Sequence, residues 1–156
     1  MMPHDWAHAA YEAARRQDHD AIVATLKELV QAGGIDAMQW AARRWMDRTR
    51  YIMAHCGQFA GFTLTAHNSS TGRPVDVDQA PPAAAWSGRL FMAYTTGDRA
   101  QWQALWRMVG DTDDGLCNAA YAVLRMMTLT AASYAEEHGS PDLELRATRL
   151  ALAHLN

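Results

Sequence analysis

Arg125 is the one charged residue between Asp114 and Glu136, in the middle of an otherwise apolar stretch. A guanidinium keeps its charge at any ordinary pH, so in such a place it must reach water or meet an anion. Two arrangements satisfy it. It can contact an anionic or carboxylate ligand, with Arg44 helping, or it can form a structural ion pair with an acid such as Asp47 or Asp36. The ion pair is the commoner of the two. Trp86, Arg89 and Tyr94 form a second local cluster, offering an aromatic wall and a cation to a ligand. The six Trp and nine Met of the chain recur at helical spacing, which first of all suits the packing of a helical core.

Other constellations carry less chemistry. His4, His8 and Glu12 follow one another every four residues, and two imidazoles on a helical stripe can share a metal ion, but no further ligand pair supports them. They read as an exposed polar face. His55 and Cys56 are neighbours on a helix, so their side chains diverge by about 100° and cannot act as a base and its nucleophile. Asp111, Asp113 and Asp114 lack the alternating ligands and distal Glu of a calcium loop and fit the start of a helix instead. Arg43, Arg44, Arg48 and Arg50 could contact a phosphate backbone, but Asp47 sits among them, one helical face is involved, and no aromatic platform or groove-reading motif accompanies them. They are expected to form a solvated face or a dimer contact. No phosphate-binding glycine loop, nucleophile elbow, zinc-finger spacing or catalytic carboxylate pair is present, so the expectation leans away from an enzyme, with no cofactor and no metal.

The elements that hold these residues follow from the pattern. Alanine fills 30 of the 156 positions, which favours helices. Pro3 opens a first helix to about Gln17, with Trp6, Ala10, Ala13 and Ala14 inward. Asp18 caps a second helix carrying Ile22, Leu26, Leu29 and Val30, and Gly33-Gly34 ends it. A long third helix runs from about Asp36 to Cys56. Residues 58–80 change to alternating segments around a turn, read as a β-hairpin or a loop. Pro81-Pro82 starts a fourth helix to about Thr96, a fifth carries Trp102, Leu105, Trp106 and Val109, and a sixth runs from about Leu116 to His138. Ser140-Pro141 begins a last amphipathic helix to about 155. The sixth helix is nearly apolar all round and the third is arginine-rich, so the sixth is expected to be the more buried.

The two halves also align with each other. At a spacing of 80, Trp6 meets Trp86, Ala13 meets Ala93 and Asp18 meets Asp98; at 81, Ala41 meets Ala122, Arg44 meets Arg125, Met46 meets Met127 and Thr49 meets Thr130. The expected fold is therefore all-α: two pseudo-symmetric three-helix repeats, about 3–57 and 83–139, forming one bundle about a shared core. A connector over 58–82 joins them, and a C-terminal helix over 140–155 follows. The whole chain, 17.3 kDa, makes a single domain.

Composition excludes several classes. Apolar residues are 49% and charged residues 20%, so the chain is neither disordered nor fibrous. A net charge of −3 and a pI near 6.1 give no basic field for nucleic acid, which is not an expected partner. The N-terminal residues do not read as a secretory signal, and Arg125 with Asn118 argues against a membrane span over 115–135. Two cysteines 61 positions apart read as reduced thiols of a cytoplasmic protein. The first functional expectation is a non-catalytic helical module that binds a protein partner or itself as a homo-oligomer. The alternative is a small-molecule binder or small enzyme with a Trp/Met-lined, Arg-anchored pocket between the repeats.

Overall fold

The computed structural model describes residues 3–55, 66–67, 74–75 and 82–137, and these are mainly helical. The first helix, α1 (Pro3–Arg15), places Pro3 at its start, where the missing N–H costs nothing. It stops in a tight left-handed turn. Gln17 takes φ 57, its N–H donates to the Ala14 carbonyl at 3.0 Å, and the Asp18 N–H donates to the Ala13 carbonyl at 2.9 Å. These paired bonds satisfy the last carbonyls of the helix. Asp18 then turns from terminator to cap, its Oδ1 accepting the Ala21 N–H at 3.1 Å to begin α2 (His19–His55).

The same turn occurs again after α3 (Pro82–Thr96). There Gly97 has φ 74, its N–H donates to the Tyr94 carbonyl at 3.3 Å, and the Asp98 N–H donates to the Ala93 carbonyl at 2.9 Å. Asp98 Oδ1 accepts the Gln101 N–H at 3.0 Å and starts α4 (Arg99–Val109).

Two helical arms make up α2, because Gly34 leaves helical geometry at φ 58, ψ −141 and separates 19–33 from 35–55. This is the stop expected at Gly33-Gly34. The last helix among the described residues, α5 (Asp113–Glu137), starts before the expected Leu116. Its cap is Thr112, whose Oγ1 accepts the Gly115 N–H at 3.1 Å, while Asp113 and Asp114 sit in the first turn, where the helix dipole favours negative charge.

Between α2 and α3 a two-residue antiparallel pairing sets Ala66 opposite Val75 and His67 opposite Pro74. The rest of 56–81 lies outside the described residues, and with it most of the expected hairpin or loop. The expected C-terminal helix over 140–155 lies outside them as well.

Helices α2 and α5 are the main packed pair, and α1 lies against α2. Met38, Ala42, Trp45 and Met46 from α2 join Ala120, Val123, Leu124 and Met127 from α5 in a core also filled by Tyr11, Leu90, Phe91 and Trp106. Polar atoms lock the elements together. Thr49 Oγ1 lies 3.1 Å from the Trp45 carbonyl and 3.2 Å from the Met127 carbonyl of the facing helix. Trp45 Nε1 donates to the Ala7 carbonyl at 2.9 Å, and Trp86 Nε1 to the Leu105 carbonyl at 2.8 Å.

Burial does not single out α5, contrary to the expectation from its composition. The second arm of α2 buries Met38, Ala41, Ala42, Trp45, Met46, Thr49, Ile52 and Met53, whereas α5 leaves Leu129 51% exposed. The arginines of α2 do not force its face into water, because they lie against rings.

Candidate functional site

Each arginine of the α2 run lies over an aromatic ring. Arg48 stands 3.5 Å above the centre of Tyr11, Arg44 is 5.5 Å from Trp40, Arg50 is 5.5 Å from Tyr94 and Arg43 is 6.0 Å from Trp102. The face expected to be solvated or a dimer contact carries its arginines over rings: Arg48 is buried, and Arg43, Arg44 and Arg50 stay partly exposed. Its platform was invisible in the local sequence because Tyr11, Tyr94 and Trp102 come from α1, α3 and α4. The Trp40–Arg44 spacing of four was the one local sign of it.

Arg48 is buried and donates to Glu12 Oε1 at 3.0 Å, while Arg15 approaches Glu12 Oε2 at 3.2 Å. Burial pushes the Glu12 carboxyl up, but the hydrogen bond from Arg48 and the charges of Arg15 and Arg48 outweigh it, leaving the group below its ordinary value. Glu12 is thus held by arginines, and no group of three or more metal-binding side chains occurs among the described residues. Burial pulls His8 below the usual histidine value, only partly offset by Glu12. The His55-Cys56 pair lies at the edge of the described residues, with Cys56 outside them.

The cluster expected at Trp86, Arg89 and Tyr94 is rearranged by the fold. Trp86 and Tyr94 belong to one aromatic row that passes through α4. Trp86 meets Trp106 edge-on at 5.3 Å, Trp106 lies 6.0 Å from Trp102, and Trp102 lies 5.6 Å from Tyr94. Arg89 is exposed and is not among the residues lining the clefts beside that row. The Tyr94 hydroxyl donates to Asp47 at 2.6 Å, and burial together with that carboxylate pushes its pKa up to about 12.

A groove runs between α2 and α4 along this row. One end is a cleft of about 450 Å³ lined by Arg43, Tyr94, Gly97, Asp98, Arg99 and Trp102. The other, about 370 Å³, is lined by Ile35, Trp106, Arg107 and Gly110. Gln39 and Gln103 line both ends. Gln39 is fixed by accepting the Trp102 indole N–H at 3.1 Å, which leaves its amide NH₂ as a donor. Sequence reasoning missed Arg43, Gln39 and Trp102 as a set, since Trp102 lies on α4, about 60 positions from the two α2 residues.

Arg125 lies elsewhere, in a cleft of about 340 Å³ between the end of α1 and α5. No ion pair to Arg125 forms among the described residues, and Asp47 is engaged by Tyr94 and by Arg50 at 3.8 Å. Arg44 does not help it: Arg44 rests on Trp40 and does not line that cleft. The clefts of about 340 and 450 Å³ occupy corresponding places, each between the turn after a short helix and a long helix of the other half. No described helix is long and apolar enough to cross a membrane. The chain matches no protein-family model, and comparison with curated proteins and with solved structures brings no match.

Proposed function

We propose that this chain is a non-catalytic binding module whose ligand is a small, flat, anionic molecule held in the groove between α2 and α4. The observation that carries this is the convergence of Arg43 and Arg99, two cations against the single carboxylate of Asp98, with Tyr94 and Trp102 on one cleft of about 450 Å³. Ligand sites in helical proteins have this size, an apolar body and a few placed polar groups. A planar ring fits beside Trp102, a carboxylate meets the guanidinium of Arg43 or Arg99, and the Gln39 and Gln103 amides fix orientation along the groove.

Contact with a protein partner or with a second copy is the other way such a module binds. Its support is Met108 and Leu129, left 74% and 51% exposed. Two single side chains are ordinary surface, so the groove is preferred. A cytoplasmic location goes with the proposal, on the spacing of the two cysteines.

The groove also suits an origin by duplication. In that proposal 3–57 and 83–139 are copies packed about a pseudo-two-fold axis. The twin turns at Asp18 and Asp98, with matching hydrogen bonds 80 positions apart, support it.

Native mass spectrometry of gently purified protein tests the ligand. The expected result is an adduct of a few hundred daltons that leaves on denaturation and is absent from Arg43→Gln. A bare chain mass, or an adduct retained by Arg43→Gln, would overturn the proposal.

A further inference from the structure

The cleft between α1 and α5 shares no lining residue with the groove, and its chemistry is different. Arg15 at the end of α1, Arg16 in the turn after it and Arg125 on α5 line it, with Glu12 as its one carboxylate, which leaves an excess of two positive charges. Glu12 is shared between Arg15, at 3.2 Å within the cleft, and Arg48, at 3.0 Å from outside the cleft lining. Arg15 and Arg16 stand at the C-terminal end of α1, where the helix dipole favours cations. That accounts for two of the guanidinium groups but not for Arg125, which projects from the middle of α5 with no ion pair among the described residues.

Gln17 is the second observation. It takes φ 57, a left-handed conformation that a residue with a Cβ adopts at a cost, and it is one of the residues lining this cleft. In the matching turn the residue is Gly97, for which the conformation is free of that cost. Stability alone would favour glycine at both turns. The Gln17 N–H is already spent on the Ala14 carbonyl, so what glutamine adds over glycine is its side-chain amide. Strain kept beside a cation cluster points to a bound group.

We propose that this cleft binds a phosphate group. A dianionic phosphate matches the excess of two charges, and its several oxygens suit guanidinium groups arriving from α1 and α5 together with the Gln17 amide. Leu129, half exposed at the rim, offers an apolar contact to whatever carries the phosphate. The carrier is a free phosphate, a soluble monoester or a lipid headgroup.

Titration calorimetry with inorganic phosphate and with phenyl phosphate, and sedimentation with phosphatidylcholine vesicles containing phosphatidic acid, tests the site and separates these sources. The expected result is saturable binding in at least one arm, weakened about tenfold or more by Arg125→Gln and by the exposed Arg16→Gln. Tighter binding of phenyl phosphate identifies a monoester, and binding confined to vesicles identifies a headgroup. Gln17→Gly is expected to weaken binding while raising the melting temperature, an outcome that a merely structural role for Gln17 does not produce. Absence of binding in all three arms would overturn the proposal, as would binding unchanged in Arg125→Gln and Arg16→Gln variants that melt like the parent. Aromatic carboxylate binding in the α2–α4 groove is measured in the same variants, so failure of one site is distinguished from failure of the other.

Discussion

Gln17 and Gly97 hold the same position in the same turn, 80 residues apart, with φ 57 and φ 74. Glycine suits that conformation and glutamine does not. A Cβ built on Gly97 meets nothing within 4 Å, so the cost of a side chain there is conformational and not steric. Gln17→Gly is therefore expected to stabilise the protein by about 1 kcal/mol, or about 2–4 °C in melting temperature. Gly97→Ala is expected to destabilise it by a similar amount. Thermal melts of the two single variants check the pair, and opposite signs are the predicted outcome.

The Glu12–Arg48 pair carries an asymmetry. Arg48 is 5% exposed, while the Glu12 side chain is 27% exposed. Glu12→Gln leaves a buried guanidinium without its counter-charge and is expected to cost about 2 kcal/mol, reduced from a fully buried case by the access of water. Arg48→Met leaves a half-wet carboxylate that still has Arg15, and is expected to cost about half as much. Urea melts of both variants measure the difference.

Glu12 also sets an acid limb. Its folded value lies below the ordinary 4.5, so the charged form is favoured by folding. Its contribution is complete above the ordinary value and is lost as pH falls through the depressed one. Stability of the parent between pH 5 and 3, compared with Glu12→Gln, is expected to fall more steeply by that contribution; about equal slopes would contradict it.

Tyr94 gives the opposite limb. Its pKa of about 12 against an ordinary 10.0 means that the folded state favours the protonated phenol. That contribution is complete below pH 10 and is lost as pH rises through about 12. Absorbance at the phenolate band should show a tyrosine titrating near 12 that is missing in Tyr94→Phe.

Much of the architecture was legible from local rules. Gly33-Gly34 and the twin Asp caps mark boundaries because their causes, left-handed backbone and side-chain capping, act within a few residues. The site was legible only in pieces. Arg125 and Tyr94 stood out by type, yet they line different clefts, and Arg89 lines neither. Arg43 read as one of a charge run, since the ring beneath it, Trp102, is brought there by α4. Relative burial of the long helices was misjudged for the same reason: composition counts charges, whereas rings from other helices decide whether an arginine lies in water or on a surface.

Titration of the protein with 2-naphthoate, followed by tryptophan emission and calorimetry, tests the groove between α2 and α4 most directly. The prediction is saturable one-to-one binding that quenches emission, weakened about tenfold or more, near 1.4 kcal/mol, by Arg43→Gln and unchanged by Arg125→Gln. Binding that does not saturate, or that Arg43→Gln leaves as it was, would contradict the account.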